Sequence, residues 1–384
     1  MRGAVKVITG DCVEVMRSLP PRSVDAIVTD PPYGLDFMRA NGVRWDHDVP
    51  GPEVWAAALR VIKPGGYLLS FGGTRKFHRM TCAIEDAGPA PWGWSIRDCI
   101  MWLYGQGMPK VGDIGKALDK AAGGEHPDGD DHDGWSAALK PAWEPIIVAR
   151  APLDGTLLAN VLAHGTGAMN IEACRVGTSK NVPASVSRHQ HDIVYGGFKS
   201  PDGLTPGFDP NVGQYPANLV LDEAAAAALD AQVGPLRSGG IAAGQARGPN
   251  QVFGKMDGEG TAPRAWAARD DVPPSRFFYC AKATRRERNL GVVDNRHVAV
   301  KPLRLMRWLV RLVARRGGLV LDPFTGSGTT GVACWLEGVD FVGAELDPVH
   351  AEVARRRIEA AGGEADAGED EDVVVKVPPQ GSLF

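Results

Sequence analysis

The fold is indicated by the stretch Leu319-Val320-Leu321-Asp322-Pro323-Phe324-Thr325-Gly326-Ser327-Gly328-Thr329-Thr330-Gly331. An apolar strand, Leu319 to Leu321, runs into a glycine-rich turn, and a helix is predicted from about Thr329. Such a turn lets a ligand approach the backbone closely, near the positive N-terminus of the helix. Gly326 to Gly331 also matches G-x-G-x-x-G, which is weak evidence alone and leaves a NAD-dependent oxidoreductase open. Glu345 ends the next predicted strand, where it could accept hydrogen bonds from ribose hydroxyls.

A second loop, Asp30-Pro31-Pro32-Tyr33-Gly34, directly follows the predicted strand Ala26 to Thr29. Its two prolines fix the backbone and remove donors, so carbonyls and the Asp30 carboxylate are left as hydrogen-bond acceptors. Acceptors of this kind suit an amino group. An exocyclic base nitrogen is a poor nucleophile, and two acceptors on its hydrogens would localise its lone pair, while Tyr33 offers a face for stacking. The alternative is a rigid turn with an exposed tyrosine.

The rest of the chain predicts an α/β fold with an irregular middle. Short β-branched runs alternate with helical patterns up to Arg150, and this rhythm returns after about residue 290. Between them the sequence is rich in Gly and Pro without clear periodicity. We therefore predict four segments: the N-terminal part of an α/β domain (1–150), an irregular inserted region (151–290), the C-terminal part of the α/β domain (291–361) and an acidic, disordered tail (362–384).

Composition excludes several protein classes. The chain has 384 residues, of which 44% are hydrophobic and 23% charged, close to globular averages. No apolar run reaches the roughly 18 residues of a membrane span, and Lys6 and Asp11 lie where a signal peptide would be apolar, so a soluble, cytoplasmic protein is expected. Six cysteines without a C-x-x-C pair indicate free thiols, and His189 and His191 lack a third ligand, so no metal site is predicted.

Charge is distributed unevenly. The formal net charge is −4, yet residues 273–316 hold twelve Lys or Arg against Glu287 and Asp294. Such a local excess suits a polyanion, although a solvated helical face is the other interpretation. Four arginines in this segment are spaced so that they share one helical face, which we predict to follow a DNA backbone: Arg304, Arg307, Arg311 and Arg315.

Taken together, the two loops resemble those of S-adenosylmethionine-dependent DNA amino-methyltransferases of the N6-adenine/N4-cytosine type, in the group where D-P-P-Y precedes the glycine motif. The family's cofactor loop D-P-F-x-G-S-G matches Asp322 to Gly328, and its Gly-Asp pair matches Gly10-Asp11. Its H-P-T-x-K-P segment matches His297 to Pro302, where Val298 and Ala299 depart from the pattern. The stretch from Ala138 to Pro145 is similar to phage and prophage members.

The resemblance implies a set of site residues and no metal. The catalytic residues would be Asp30, Pro31, Pro32 and Tyr33. Those that bind the cofactor S-adenosylmethionine would be Asp11, Asp30, Lys301, Asp322, Phe324, Gly326, Ser327, Gly328, Thr329 and Glu345.

The fold implied is a circularly permuted, Rossmann-like methyltransferase sheet with an irregular inserted target-recognition region. If the order is permuted, the strand at Leu319 lies beside the strand at Ala26, and the strand before Asp11 lies beside the strand before Glu345. Ligands bind beyond the carboxyl ends of such strands, so a methyl donor and an amino acceptor would meet there.

The activity implied is site-specific methylation of double-stranded DNA, as in restriction-modification systems, on a base flipped out of the duplex. Adenine N6 is the expected target because Asp heads the motif where many cytosine-N4 members carry Ser, and cytosine N4 is the alternative. A DNA-binding protein that keeps the fold without catalysis is a different possibility, as is the NAD-dependent enzyme.

Three further features bear on partners. Leu35 to Gly51, with Trp45 and Asp46, is a candidate lid over the flipped base, although a plain surface loop is equally compatible. Target recognition is expected from side chains of the middle region, including Arg237, Arg247, Arg264, Trp266 and Arg276. The last five residues resemble peptides that dock on bacterial sliding clamps through Gln380, Leu383 and Phe384. The alternative is an accidental pentapeptide, and a homodimer is a further candidate assembly.

Overall fold

The computed structural model describes residues 4–36, 46–105, 107, 112–128, 130–176, 215–234, 236–238, 269–272, 279–280, 289–292 and 300–363. Its strands are β1 (Val5–Thr9), β2 (Val24–Thr29), β3 (Ile62–Phe71), β4 (Ser95–Leu103), β5 (Trp143–Arg150), β6 (Leu219–Leu221), β7 (Leu236–Ser238), β8 (Arg269–Val272), β9 (Tyr279–Cys280), β10 (Leu319–Asp322) and β11 (Asp340–Glu345). Its helices are α1 (Cys12–Ser18), α2 (Pro52–Val61), α3 (Phe77–Glu85), α4 (Ile114–Ala122), α5 (Leu157–His164), α6 (Glu223–Val233), α7 (Leu303–Val313), α8 (Thr329–Glu337) and α9 (Pro348–Gly363).

The strands of the large sheet follow the order β1-β11-β10-β2-β3-β5-β4-β6-β9. From β1 to β3 every neighbouring pair is parallel, whereas β5 runs antiparallel to both β3 and β4. The predicted α/β class with a permuted, Rossmann-like sheet is confirmed. The reversed β5 is a feature that the alternation of strands and helices does not reveal.

Both predicted strand neighbours are confirmed by the register. Val320 pairs with Ala26, so β10 lies directly beside β2 with no strand between them. Thr9 pairs with Glu345, so β1 lies directly beside β11. Because carboxyl ends of parallel strands share one edge of a sheet, the loops after β1, β2, β10 and β11 come together there.

The chain divides into two compact units. The first contains the residues up to Cys174, Asn218–Ala225 and the residues from Cys280 onward, and it includes the site described below. The second contains Arg175–Ala217 and Ala226–Tyr279, where β7 and β8 pair antiparallel. The four-segment division and the role of the middle region in target recognition stay predictions.

The core of the first unit lies on β2, β3 and β5 and the helices packed against them. All six residues of β2 are buried, as expected for a strand covered on both faces. The fully buried side chains of Trp55 and Ile84 come from α2 and α3, and they join Ile27, Leu68 and Ile147 from the sheet. Burying each large apolar side chain contributes about 1.5–3 kcal/mol, so this cluster holds the strand ends in place.

Two arginines of the predicted DNA-binding face of α7 form ion pairs within the protein. The Nε atom of Arg307 lies 2.7 Å from one oxygen of Glu337 on α8, and Nε of Arg311 lies 2.6 Å from the other. Although burial raises the pKa of Glu337, hydrogen bonds and charges from Arg311 and Arg307 outweigh it and lower that pKa. Two of the four arginines predicted to follow DNA therefore share a partner within the chain, and the hypothesis of a uniform phosphate-binding ridge needs correction.

None of the helices in the described ranges is long and apolar enough to cross a membrane.

Candidate functional site

The loop after β2 is held by an aspartate from farther along the chain. The backbone N–H groups of Tyr33 and Gly34 donate to Oδ1 of Asp46, at 2.8 and 2.9 Å. Gly34 has φ +65°, and a Cβ there would lie 2.9 Å from the backbone nitrogen of Val49. The predicted lid segment thus contributes an anchor for the D-P-P-Y loop, although Trp45 and residues 37–45 lie outside the described residues.

Four polar side chains meet at this loop, and we refer to Asp30, Tyr33, Glu144 and Lys301 as the Asp30 cluster. The Tyr33 hydroxyl lies 2.7 Å from Oδ1 of Asp30 and 3.1 Å from Oε2 of Glu144. The Lys301 ammonium lies 2.8 Å from Oδ2 of Asp30 and 3.3 Å from Oε2 of Glu144, and it donates to the Tyr33 oxygen at 3.0 Å. Lys301 was expected at the cofactor, whereas here it contacts the D-P-P-Y loop.

Electrostatics fix the protonation of two members of the Asp30 cluster. Burial, then the charge of Asp30 and that of Glu144, raise the pKa of Tyr33 well above its ordinary value, so the phenol keeps its proton. Burial alone would lower the pKa of Lys301, but the two carboxylates outweigh it and raise that pKa. Lys301 therefore carries a positive charge, and its Nζ atom also lies 4.9 Å from the centre of the Phe71 ring.

A buried carboxylate joins the glycine loop to the D-P-P-Y strand. Asp322, at the end of β10, is 2% exposed and accepts from the hydroxyls of Thr29 and Thr330, each at 2.6 Å, and from the Phe324 N–H at 3.0 Å. Burial raises the pKa of Asp322 to about 6. Because Thr29 immediately precedes Asp30, the 2.6 Å contact ties the two predicted loops directly together.

Glu345 contacts the glycine loop and the loop after β1. Its Oε2 accepts from the Gly326 N–H at 2.7 Å, and its backbone carbonyl accepts from the Gly10 N–H at 2.9 Å. Asp11, next to Gly10, caps α1 by accepting from the N–H groups of Val13 and Glu14. The carboxylates of Glu345 and Asp11 thus belong to neighbouring strand ends, as the order of the motifs predicted.

Close packing requires glycine at the start of α8. Gly328 has φ +79°, and a Cβ there would lie 2.8 Å from Cα of Ala354 on α9. The glycine loop therefore rests directly against the backbone of α9.

A buried arginine that the motifs do not include supports the same loop. Arg357 on α9 is 1% exposed, and its guanidinium donates to the Ser327 carbonyl, to the Ser327 hydroxyl at 3.0 Å and to the Thr329 hydroxyl at 3.1 Å. Ser327 and Thr329 are themselves buried. The spacing of Ala354, Arg357 and Ala361 places the arginine on the apolar face of α9. A charged residue on that face could have indicated in the sequence that Arg357 has a buried role.

The described residues bring most of the predicted site together. Pro31 is buried, Pro32 is partly buried, and Phe324 packs against the main core cluster. Glu144 and Asp46 were not among the expected site residues. A charged residue near the start of the otherwise apolar strand from Trp143 to Arg150 could have indicated Glu144. His297, His189, His191, Arg247, Arg264, Trp266, Arg276, residues 364–384 and the side chain of Arg237 lie outside the described part of the chain. Among the residues that are described, no group of three or more His, Cys, Asp or Glu could hold a metal ion.

Comparison with known proteins agrees with the motifs. Residues 244–356 match the family model of N6/N4 enzymes described as DNA methylase. The type II methyltransferase M.Cfr9I of Citrobacter freundii is 33% identical over 113 residues, 26% of this chain and 35% of that protein. The type II methyltransferase M.SmaI of Serratia marcescens is 48% identical over 62 residues, 16% of this chain and 21% of that protein. The matches span about a third or less of the length of these relatives. The resemblance to DNA amino-methyltransferases is confirmed by the family model and these relatives.

Solved structures also cover most of the chain. The cytosine-N4-specific PvuII DNA methyltransferase has 14% identity and a TM-score of 0.44, covering 93% of this chain and 87% of that one. M1.HpyAVI has 15% identity and a TM-score of 0.42, with 92% and 98% covered. The fold class rests on the strand order itself.

Proposed function

We propose that this chain, whose residues 244–356 match the DNA methylase family, transfers a methyl group from S-adenosylmethionine to an amino group of a base in double-stranded DNA. One observation carries the proposal above the others. The loop of acceptors headed by Asp30 and the glycine loop headed by Asp322 follow adjacent parallel strands and are joined at 2.6 Å through Thr29. An amino acceptor and a methyl donor bound at these loops would be neighbours.

The residues at the glycine loop fit S-adenosylmethionine. When bound, this cofactor supplies an electrophilic methyl group on a positively charged sulfur. Glu345 and Asp11 are carboxylates at adjacent strand ends, a pair of acceptors suited to ribose hydroxyls and an amino group, and their charge complements a sulfonium. We propose that the two acids, Gly326, Gly328 and Phe324 line the cofactor site.

Three other residues of the predicted cofactor set form hydrogen bonds within the protein that hold the glycine loop in place. The oxygens of Asp322, Ser327 and Thr329 are engaged by protein donors. These three side chains are also buried, whereas Asp11 is exposed and Glu345 is partly exposed. We therefore assign the three to positioning the loop, rather than to touching the cofactor. Lys301 acts on Asp30 in the same indirect way, as a partner within the Asp30 cluster.

Asp30, with the carbonyls of Pro31 and Pro32, is proposed to accept hydrogen bonds from the target amine and to orient its lone pair. A base within a duplex cannot reach this loop, so it must rotate out of the stack at a cost of a few kcal/mol. Tyr33 would contact the base through its ring, because its hydroxyl is bound to Asp30. Holding donor and acceptor in line can contribute about 7–11 kcal/mol to lowering the barrier, so positioning is the main catalytic device.

Adenine N6 is the proposed target atom. The support is the Asp that heads the Pro-Pro-Tyr motif, at a position where many cytosine-N4 enzymes of the resembled family carry Ser. Phage origin, a homodimer and clamp binding through the C-terminal residues 380–384 stay predictions, and the last concerns residues outside those described.

The experiment is methylation of unmethylated genomic DNA with isotope-labelled S-adenosylmethionine, followed by digestion to nucleosides and mass spectrometry. Labelled N6-methyl-2′-deoxyadenosine is expected, while labelled N4-methyl-2′-deoxycytidine would keep the activity and overturn the target atom. Asp30→Ala should abolish transfer and leave cofactor affinity by calorimetry largely intact. Asp86→Ala, at an exposed aspartate ending α3, is the matched control and should behave as wild type. Transfer to no base would refute the proposed function.

A further inference from the structure

We propose that Glu144 provides the uncompensated negative charge of the amine site, which Lys301 would otherwise cancel. This inference rests on the proposed function and adds a residue to it that the D-P-P-Y motif does not contain.

The charges of the Asp30 cluster can be counted from its contacts. Tyr33 is neutral, Lys301 is cationic and Asp30 is a carboxylate, so these three sum to zero. Lys301 contacts Asp30 at 2.8 Å, close enough for the two charges to offset one another at the loop. Glu144, at 3.3 Å from the same ammonium, brings the sum to −1.

Glu144 is held in position by the sheet. Glu144 is the second residue of β5. The backbone carbonyl of the following residue, Pro145, accepts a hydrogen bond from the Gly72 N–H at 2.9 Å. On its other side, the Trp143 ring packs edge-on against Phe77 with ring centres 6.0 Å apart. Its carboxylate can therefore keep a fixed place beside Tyr33 while the D-P-P-Y loop engages a base.

The surroundings of Glu144 strengthen its field. The side chain of Glu144 is 21% exposed, and that of Lys301 is 9% exposed. The nearby phenol of Tyr104 has its pKa raised to about 12, first by burial and then by the charge of Glu144. Among the residues that the structure describes, the charged and titratable groups around Glu144 are Asp30, Tyr33, Tyr104 and Lys301. In such a partly buried site a single charge interacts more strongly with neighbouring charges than it would in water.

The reaction places a positive charge next to the Asp30 cluster. The amine nitrogen forms the bond to the methyl carbon as the carbon–sulfur bond breaks, and the electron pair of that bond stays on sulfur. The nitrogen becomes cationic until one of its two protons leaves to Asp30 and then to water. A site of net charge −1 stabilises this developing cation, whereas a neutral site does so much less. Glu144 itself acts through the field and through Lys301, so it is a positioning residue.

The test is a double-mutant cycle on the full-length protein, in which each charge is neutralised singly and then together. Single-turnover methyl transfer to unmethylated genomic DNA would be measured at saturating S-adenosylmethionine for wild type, Glu144→Gln, Lys301→Gln and the double variant. Glu144→Gln keeps the shape and removes the charge, so we expect the rate to fall roughly 10- to 100-fold. The double variant restores a net charge of −1 through Asp30 alone, so it should be at least about tenfold faster than Glu144→Gln. A merely structural role predicts that the two losses add.

Two further variants make the outcome specific. Glu144→Asp keeps the charge and should be faster than Glu144→Gln. If Glu144→Gln fails to fold by circular dichroism, Glu144→Asp is compared with wild type instead, and a folded Glu144→Asp more than about tenfold slower than wild type then overturns the inference. Glu85→Gln, at an exposed residue of α3, is the matched control and should leave the rate unchanged. An active wild type with Glu144→Gln within threefold of it, or a double variant no faster than Glu144→Gln, overturns the inference alone. An inactive wild type overturns the proposed function and the inference together.

Discussion

Asp322→Asn should change how the stability of this protein depends on pH. The carboxylate is buried between the two loops and accepts from Thr29, Thr330 and the Phe324 N–H. An amide of the same shape can keep these partners, because it accepts through its oxygen and a threonine hydroxyl can turn to accept from its NH₂ group. The substitution therefore removes a titrating group without opening a cavity.

The sign and size follow from the pKa of Asp322. Burial raises it from an ordinary value of about 3.9 to about 6, so between these values the folded state binds a proton that the unfolded state has released. The free energy of unfolding of wild type must then fall as pH rises through this window. At about 1.4 kcal/mol for each pH unit, ionised Asp322 costs about 3 kcal/mol above pH 6. The Asp322→Asn variant does not pay this cost.

The assay is urea unfolding of both proteins from pH 4 to pH 7.5. The difference between their free energies of unfolding should shift by about 3 kcal/mol in favour of the variant as pH rises from 4 to above 6. Thr330→Val, which removes a donor to the same carboxylate, should extend the loss of stability to higher pH. A difference between wild type and Asp322→Asn that stays constant across the range would refute the reasoning.

Three other perturbations test the supports of the site. Arg357→Met should lower the free energy of unfolding by about 3 kcal/mol and weaken S-adenosylmethionine binding, because buried oxygens at Ser327 and Thr329 lose their donor; unchanged calorimetric affinity would contradict the second part. Asp46→Ala should slow methyl transfer roughly 10- to 100-fold with cofactor affinity retained, since the D-P-P-Y backbone loses its anchor; an unchanged single-turnover rate would exclude that role. Arg307→Gln should lower the melting temperature and leave the slope of log DNA affinity against log salt unchanged, because Arg307 pairs with Glu337. A shallower slope would show that Arg307 contacts DNA phosphates.

Local sequence was sufficient to identify the two loops. Prolines at 31 and 32 restrict the backbone, and glycines at 326 and 328 allow conformations closed to other residues, so both loops could be recognised without a structure. The pairing of β10 with β2, and of β1 with β11, was expected from the permuted motif order of the family that the loops resemble, and the shared edge of parallel strands explains why the loops after them meet.

Tertiary structure alone decided which charged groups meet at those loops. Glu144 reaches Tyr33 because β5 runs antiparallel to β3, and the alternation of strands and helices does not record the direction of a strand. Arg357 and Asp46 reach their loops across sequence separations of 30 and 13 residues. Lys301 and Asp30 lie far apart in the sequence, yet they form an ion pair. Backbone restriction is a property of each residue, whereas the charge and pKa of a buried site depend on every group that folding brings within a few ångströms.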